Sequence, residues 1–196
     1  MKILLNESFD EWQKIINQSD WGHKILICCG HKPTAISIAT LFAIDPESKT
    51  QHLVGVCTSQ SECLELIQIS QDPLLIFISG RLDDGSGTGL VNAIHDQALA
   101  ASGGHHITVL TLNTVNPSSL KEALDSPANI ILTQRGFETF TIHHVLHSVK
   151  SKINYVDPLI HHILDPSRFK KSDLLSKREL DVLELVCDGM TNHEIG

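Results

Sequence analysis

The 196-residue sequence lacks most of the features that assign a chain to a class at sight. No run approaches the roughly 18 apolar residues of a membrane helix, so no membrane association is expected. The opening residues, Met1-Lys2-Ile3-Leu4-Leu5-Asn6-Glu7, lack the apolar core of a secretory signal. Basic residues are scarce, 15 against 23 acidic for a formal charge of −8. That excludes a nucleic-acid-binding surface spread over the whole chain but leaves room for a small local one. The five cysteines are odd in number and two of them, Cys28 and Cys29, are adjacent. They make no disulfide framework, and a cytoplasmic location is the expectation. There is no Gly-Lys-Ser/Thr phosphate loop and no Gly-x-Ser-x-Gly around Ser79 or Ser86. Internal repeats and low-complexity tracts are also missing. What remains is ordinary: 41% apolar residues and a mean hydropathy of +0.02 suit one globular core of about 150 residues with a fraction left over.

Between Lys24 and Thr133, short apolar runs alternate with helix-like stretches. The predicted strands are Lys24–Cys29, His52–Cys57, Pro73–Ile78, His106–Leu112 and Asn129–Thr133. They are continuous in Ile, Leu and Val, the pattern of strands covered on both faces in a parallel sheet. The predicted helices are Pro33–Ile44, Ser59–Ser70, Thr88–Ala101, Pro117–Asp125 and Phe137–Lys152. The second opens on a capping box, Ser59-Gln60-Ser61-Glu62. Five such units predict a doubly wound α/β domain with a five-stranded parallel sheet over residues 23–152. An extension at 1–22 carries Phe9, Trp12, Ile15 and Ile16 at helical spacing, a helix expected to lie on the core. Residues 153–173 read as a linker helix and linker: an apolar stripe over Ile153–Leu164, then the polar, basic Asp165–Asp173. The last segment, 174–196, is different in kind.

In an open parallel sheet, ligands bind beyond the carboxyl ends of the strands. The residues there are Cys29 and Gly30 after the first strand, Ser79 with Gly80 and Arg81 after the third, Thr111 late in the fourth, and Gln134 after the fifth. With the loop Ser79-Gly80-Arg81-Leu82-Asp83-Asp84-Gly85-Ser86-Gly87, these positions resemble the receiver domain of bacterial two-component response regulators. The resemblance implies a flavodoxin-like fold, and a pocket in which an acidic pair holds Mg²⁺, an Asp accepts phosphate and a Lys pairs with it. Here the acidic pair aligns with Cys29 and Gly30, the acceptor with Ser79 and the Lys with Gln134; only the hydroxyl position is retained, as Thr111. Phosphoryl transfer needs a metal and a cation to stabilise charge on the transferred oxygens. The resemblance therefore implies a degenerate receiver that signals without phosphorylation. Neither enzymatic activity nor a cofactor is expected.

The tail, Leu175–Gly196, contains a capping box at Ser176–Glu179, an amphipathic run ending at Gly189 and a second capping box at Thr191–Glu194. Helix, Gly-containing turn and helix start make the layout of a helix-turn-helix. The residues closely resemble the LuxR/NarL-type DNA-binding domain, in which Leu-Ser/Thr-x-Arg-Glu and Ser/Thr-Asn-x-Glu-Ile recur. Tyr155-Val156-Asp157-Pro158 is similar to the segment that links the two domains in that subfamily. The resemblance implies a homodimeric transcriptional regulator whose helix-turn-helix is cut before its recognition helix. In the full-length protein, DNA contacts would come weakly from Lys177, Arg178, Thr191, Asn192 and His193, the last standing where the family often has a phosphate-contacting Lys.

Other signals suggest alternatives. Gly85-x-Gly87-x-Gly89 opens a helix after a strand, the context of a nucleotide site, but the third glycine of GxGxxG is missing at its offset. A small-molecule or nucleotide-binding α/β protein is therefore one alternative, and a protein-interaction module is another. A protein or small molecule acting at the receiver is the regulator expected in place of phosphate. Among the twelve histidines, His143 and His147 have the spacing of two zinc ligands, yet no acid or cysteine accompanies them and no metal site is expected. Cys29 and Cys57 end neighbouring predicted strands, where inert buried thiols are favoured over a redox pair.

Overall fold

The computed structural model describes residues 22–43, 53–100, 106–113, 116–134 and 142–164, together with positions 178, 179 and 182. The predicted helix at Ser8–Ser19, the start of the helix predicted over Phe137–Lys152, and the linker at Asp165–Asp173 lie outside them. The chain divides into two compact units, Met1–Ile160 and His161–Gly196.

In the first unit, β1 (Lys24–Cys28), β2 (Leu53–Cys57), β3 (Leu74–Ser79), β6 (Ile107–Leu112), β7 (Ile130–Thr133) and β8 (Tyr155–Val156) form one parallel sheet in the order β2-β1-β3-β6-β7-β8. Between β3 and the next helix lies a two-stranded antiparallel hairpin, β4 (Arg81–Leu82) and β5 (Gly85–Ser86). The helices are α1 (Lys32–Ala43), α2 (Gln60–Ile69), α3 (Gly87–Ala100), α4 (Pro117–Asp125), α5 (Ile142–Ser151) and α6 (Pro158–Leu164). The five predicted strands are all present within a residue or two. The sheet itself is not five-stranded, however: Tyr155–Val156, expected in the linker, adds a sixth strand.

All six residues of β3 and all four of β7 are buried, as two-sided coverage requires. On one face, Ile25, Ile27, Leu75, Phe77, Val109, Ile130 and Leu132 pack with Ala35 and Ala39 of α1 and with Val145 and Val149 of α5. On the other face, Leu26 and Leu66 of α2 both reach Gly55, and Leu110 reaches Gly87 at the start of α3. Alternation of side chains along each strand separates the two sets. In the second unit, Arg178, Glu179 and Val182 have helical backbone and exposed side chains.

β8 is short, and one side chain fastens it. Asp157, only 3% exposed, accepts hydrogen bonds from the Thr133 N–H (3.1 Å), the Thr133 hydroxyl and the Leu159 N–H (2.9 Å). The Asp157 N–H meanwhile donates to the Ile131 carbonyl. This carboxyl group joins the end of β7 to the first turn of α6. Asp157→Ala removes it and leaves two buried donors and a partly buried one without their acceptor, so urea denaturation should show a loss of about 2–3 kcal/mol. Asp157→Asn keeps an acceptor and should lose less.

Candidate functional site

The strand order changes direction between β1 and β3, and the loops that leave these strands part there. A cavity of about 240 Å³ opens at this carboxyl edge. Ile27, Ile38 and Phe77 form its apolar floor, and Cys29, Thr34, Ser79, Thr111, Asn113 and Gln134 also line it. Four of the five positions predicted for the pocket, Cys29, Ser79, Thr111 and Gln134, thus share one cavity. The fifth, Gly30, does not line it. Its N–H instead donates to the Ser79 hydroxyl oxygen at 3.3 Å.

Ser79 is 8% exposed, and its hydroxyl is fully engaged. While accepting from Gly30, it donates to the Arg81 carbonyl at 2.7 Å. The backbone of β4 is thereby drawn against Gly30. A Cβ at position 30 would stand 2.7 Å from the Arg81 carbonyl oxygen and 2.8 Å from the Leu82 Cα, both backbone atoms. Gly87 has the same constraint: a Cβ there would stand 2.2 Å from the Ser79 carbonyl oxygen. The spaced glycines of the loop serve close packing. The Gly89 N–H, which a phosphate would seek, donates to the Ser86 hydroxyl at 3.0 Å.

The hairpin is held from outside by the start of α2. The Asp84 carboxylate accepts from the Gln60 N–H (2.6 Å), the Ser61 N–H (3.1 Å) and the Ser61 hydroxyl (3.1 Å). The Gln60 side-chain amide donates to the Ser86 carbonyl (3.0 Å), and the Asp83 N–H to the Thr58 carbonyl (3.0 Å). The helix start is capped in its own right: the Ser59 hydroxyl accepts from the Glu62 N–H, and the Glu62 carboxylate accepts from the Thr58 N–H. The capping box is therefore present, with the return bond reaching one residue further back than the simplest form. The Gln60 N–H above all holds the Asp84 carboxyl below its ordinary range, and the Thr58 N–H does the same for Glu62. Asp84 is committed to α2 and takes no place in the cavity.

No charged side chain stands among the described residues that line the cavity. Mg²⁺ demands octahedral oxygen ligation anchored by carboxylates. A thiol, hydroxyls and amides do not fit it. The thiols that do cluster were not those singled out in the sequence. Cys28, not Cys29, lies in register with Cys57, and Cys63 of α2 completes a buried group of three. The Cys29 thiol turns to the His31 carbonyl. Of the residues predicted to touch DNA, Arg178 is helical and exposed, while Lys177, Thr191, Asn192 and His193 lie outside the described residues, as do the side chains of His143 and His144.

No family profile matches the chain, and no curated protein matches its sequence. Solved structures do match. The chain is similar to the RcsB response regulator of Salmonella typhimurium, at TM-score 0.57 and 17% identity over 88% of this chain and 81% of that one. A two-component response regulator of the LuxR family from Aurantimonas gives 0.58 and 12%, over 74% and 96%. The isolated receiver domain of RcsB from Salmonella enterica gives 0.55 and 13%, over 73% and 98%. The fold is that of a response-regulator receiver. At these identities the likeness speaks for the fold alone.

Two outcomes follow from the geometry. Gly30→Ala should cost about 1–3 kcal/mol in urea denaturation, because a backbone carbonyl must move to admit the methyl group. Asp84→Asn should destabilise the protein at neutral pH. The folded-state value of Asp84 is depressed, so its contribution is present above the ordinary Asp range and is lost as pH falls through the folded value. The melting curves of variant and parent should therefore converge as the pH is taken below about 4.

Proposed function

We propose that this chain belongs to an atypical response regulator, a DNA-binding transcriptional regulator whose receiver operates without aspartyl phosphate. The observation that carries the reading is the Ser79 hydroxyl, bonded on both sides where the family has its acceptor, beside a Gly30 whose Cβ position is filled by Arg81 and Leu82 backbone. A serine so placed lacks both the metal and the cation that phosphoryl transfer needs. Gln134 offers an amide where the family has its Lys, and Thr111 keeps the hydroxyl. The pocket binds and orients rather than reacts, so the protein is not an enzyme. Its small, neutral, largely apolar cavity suits an uncharged small molecule or the side chain of a protein regulator.

The tail supports the output half of the reading. The RcsB regulator of Salmonella typhimurium interacts with DNA, and RcsB dimers have been seen bound to DNA. In this chain we assign that role to the helix-turn-helix sequence at 174–196, with Lys177, Arg178, Thr191, Asn192 and His193 as its DNA-facing residues. We assign 1–22 as an extension, 23–152 as receiver, 153–173 as linker and 174–196 as the start of the DNA-binding domain, in a cytoplasmic homodimer. No helix among the described residues is long and apolar enough to cross a membrane.

The test is incubation with acetyl phosphate, or with beryllofluoride, in the presence of Mg²⁺. Neither the mass nor the melting temperature nor the oligomeric state should change, and Ser79→Asp alone should not restore a response, since Gly30 still excludes the acidic partner. A saturable phosphoryl adduct at Ser79, or a Mg²⁺-dependent shift in melting temperature, would overturn the reading.

A further inference from the structure

The three buried thiols form a group of their own between the sheet and α2, and Cys28 alone of the three also lines the pocket. Cys28 ends β1 and Cys57 ends β2, and the two are register partners, so both side chains point to the sheet face that α2 covers. Cys63 lies one turn into α2, its N–H donating to the carbonyl of the N-cap Ser59. The three sulfurs lie within 4.8 Å of one another, and the residues are 0%, 4% and 0% exposed. All three are free thiols. Their partners outside the group are weak ones, the Ser59 carbonyl for Cys28 and the Ile27 carbonyl for Cys57, each at 3.5 Å.

We propose that Cys28, Cys57 and Cys63 form a trigonal binding site for a soft, thiophilic metal ion, monovalent copper in preference to zinc. Three sulfurs held at about 2.3 Å around one ion in a plane stand about 4 Å apart, a triangle compatible with sulfurs that all lie within 4.8 Å of one another. The three positions come from two strands and a helix whose relative placement is fixed by the sheet register and by the capped start of α2, which makes the group preorganised. Thiolates select soft ions. Structural zinc takes four ligands, and catalytic zinc keeps a water in the open position. Among the described residues no fourth side-chain ligand joins the group, and its burial leaves a water little access. A three-coordinate ion is what such a cage accepts.

Binding requires the thiols to give up their protons. The start of α2, whose N-terminal partial charge favours thiolate, lies over the group. The ion takes the place of the thiol protons, which pass to solvent as it binds. The site does not depend on the receiver reading, because metal uptake would stand or fall whatever the pocket does.

The test uses the reduced full chain under anaerobic conditions, titrated with Cu(I) held by a competing chelator, with Zn²⁺ in a parallel arm. The protein is also refolded with each ion, because entry to a buried site is slow. The expected result is one copper per chain, a thiolate-to-copper absorption in the near ultraviolet, and an X-ray absorption spectrum with three sulfur neighbours. Cys63→Ser should weaken copper binding by more than the roughly 100-fold that loss of an outer-shell partner costs, whereas Cys187→Ala should leave it unchanged. No uptake by the parent protein in either protocol, fewer than three sulfur neighbours, or zinc held more tightly than copper would each overturn the proposal. The spectrum of the parent protein decides the matter even where Cys63→Ser fails to fold.

Discussion

The Ser79 hydroxyl is the smallest group on which the carboxyl edge of the sheet depends. By accepting from Gly30 and donating to Arg81, it ties the loop after β1 to the loop after β3 through one buried oxygen. The rest of the edge follows from that tie. The β4 backbone sits where a side chain at position 30 would be, the chain reverses through Asp83 and Asp84, and it must then pass over the Ser79 carbonyl closely enough that only glycine fits at 87. A carboxylate at 79 could not hand a proton to the Arg81 carbonyl. Oxygen would face oxygen, and β4 would have to leave. The serine at 79 and the backbone that fills the space beside Gly30 are thus one structural solution.

The start of α2 is the second junction, because several unrelated demands meet there. Its free N–H groups are the natural partners of a carboxylate, and Asp84 supplies one from the hairpin. Its N-cap Ser59 fixes the first turn, and that turn puts Cys63 beside the two strand thiols. Loop, helix and thiol group are therefore mechanically continuous. The hairpin in turn packs its backbone against Gly30.

Much of this fold was legible in the sequence, and the reason is burial. Runs such as Leu74–Ser79 are apolar throughout because helices cover both faces, and no other local structure explains runs that short and that continuous. Two-residue elements escape such reading. Tyr155–Val156 carries no period, and its pairing with β7 depends on Asp157, a polar residue that in sequence looks like punctuation. The hairpin hid inside a Gly-rich loop, although an Asp-Gly step between short segments is a hairpin signal. Of the pocket, the strand ends located four residues, but the occupation of Gly30 by backbone is a contact 51 positions away and has no local signature. The thiols show the limit most clearly. With Cys28 and Cys29 adjacent, a one-residue difference in register decides which of them faces Cys57, and only the formed sheet chooses.

A receiver that gives up aspartyl phosphate also gives up the charge that ordinarily moves its loops. Whatever replaces it must bind one of two arrangements better than the other, because equal affinity shifts nothing. In the proposed reading the cavity is the natural place for that difference. Its polar rim is made of Ser79, Thr111, Asn113 and Gln134, which end three different strands, and Ser79 links that rim to a hairpin held by side-chain hydrogen bonds at Asp84 and Gln60. The sheet beneath is too well packed to move, whereas the hairpin is held to its surroundings by exchangeable polar contacts. In that reading a ligand that competes for the Ser79 hydroxyl would release Arg81 and, with it, a hydrogen-bonded tie between the two loops. In the proposed reading the site keeps the location of a receiver's switch and replaces its charge chemistry with a single hydrogen-bonded hydroxyl.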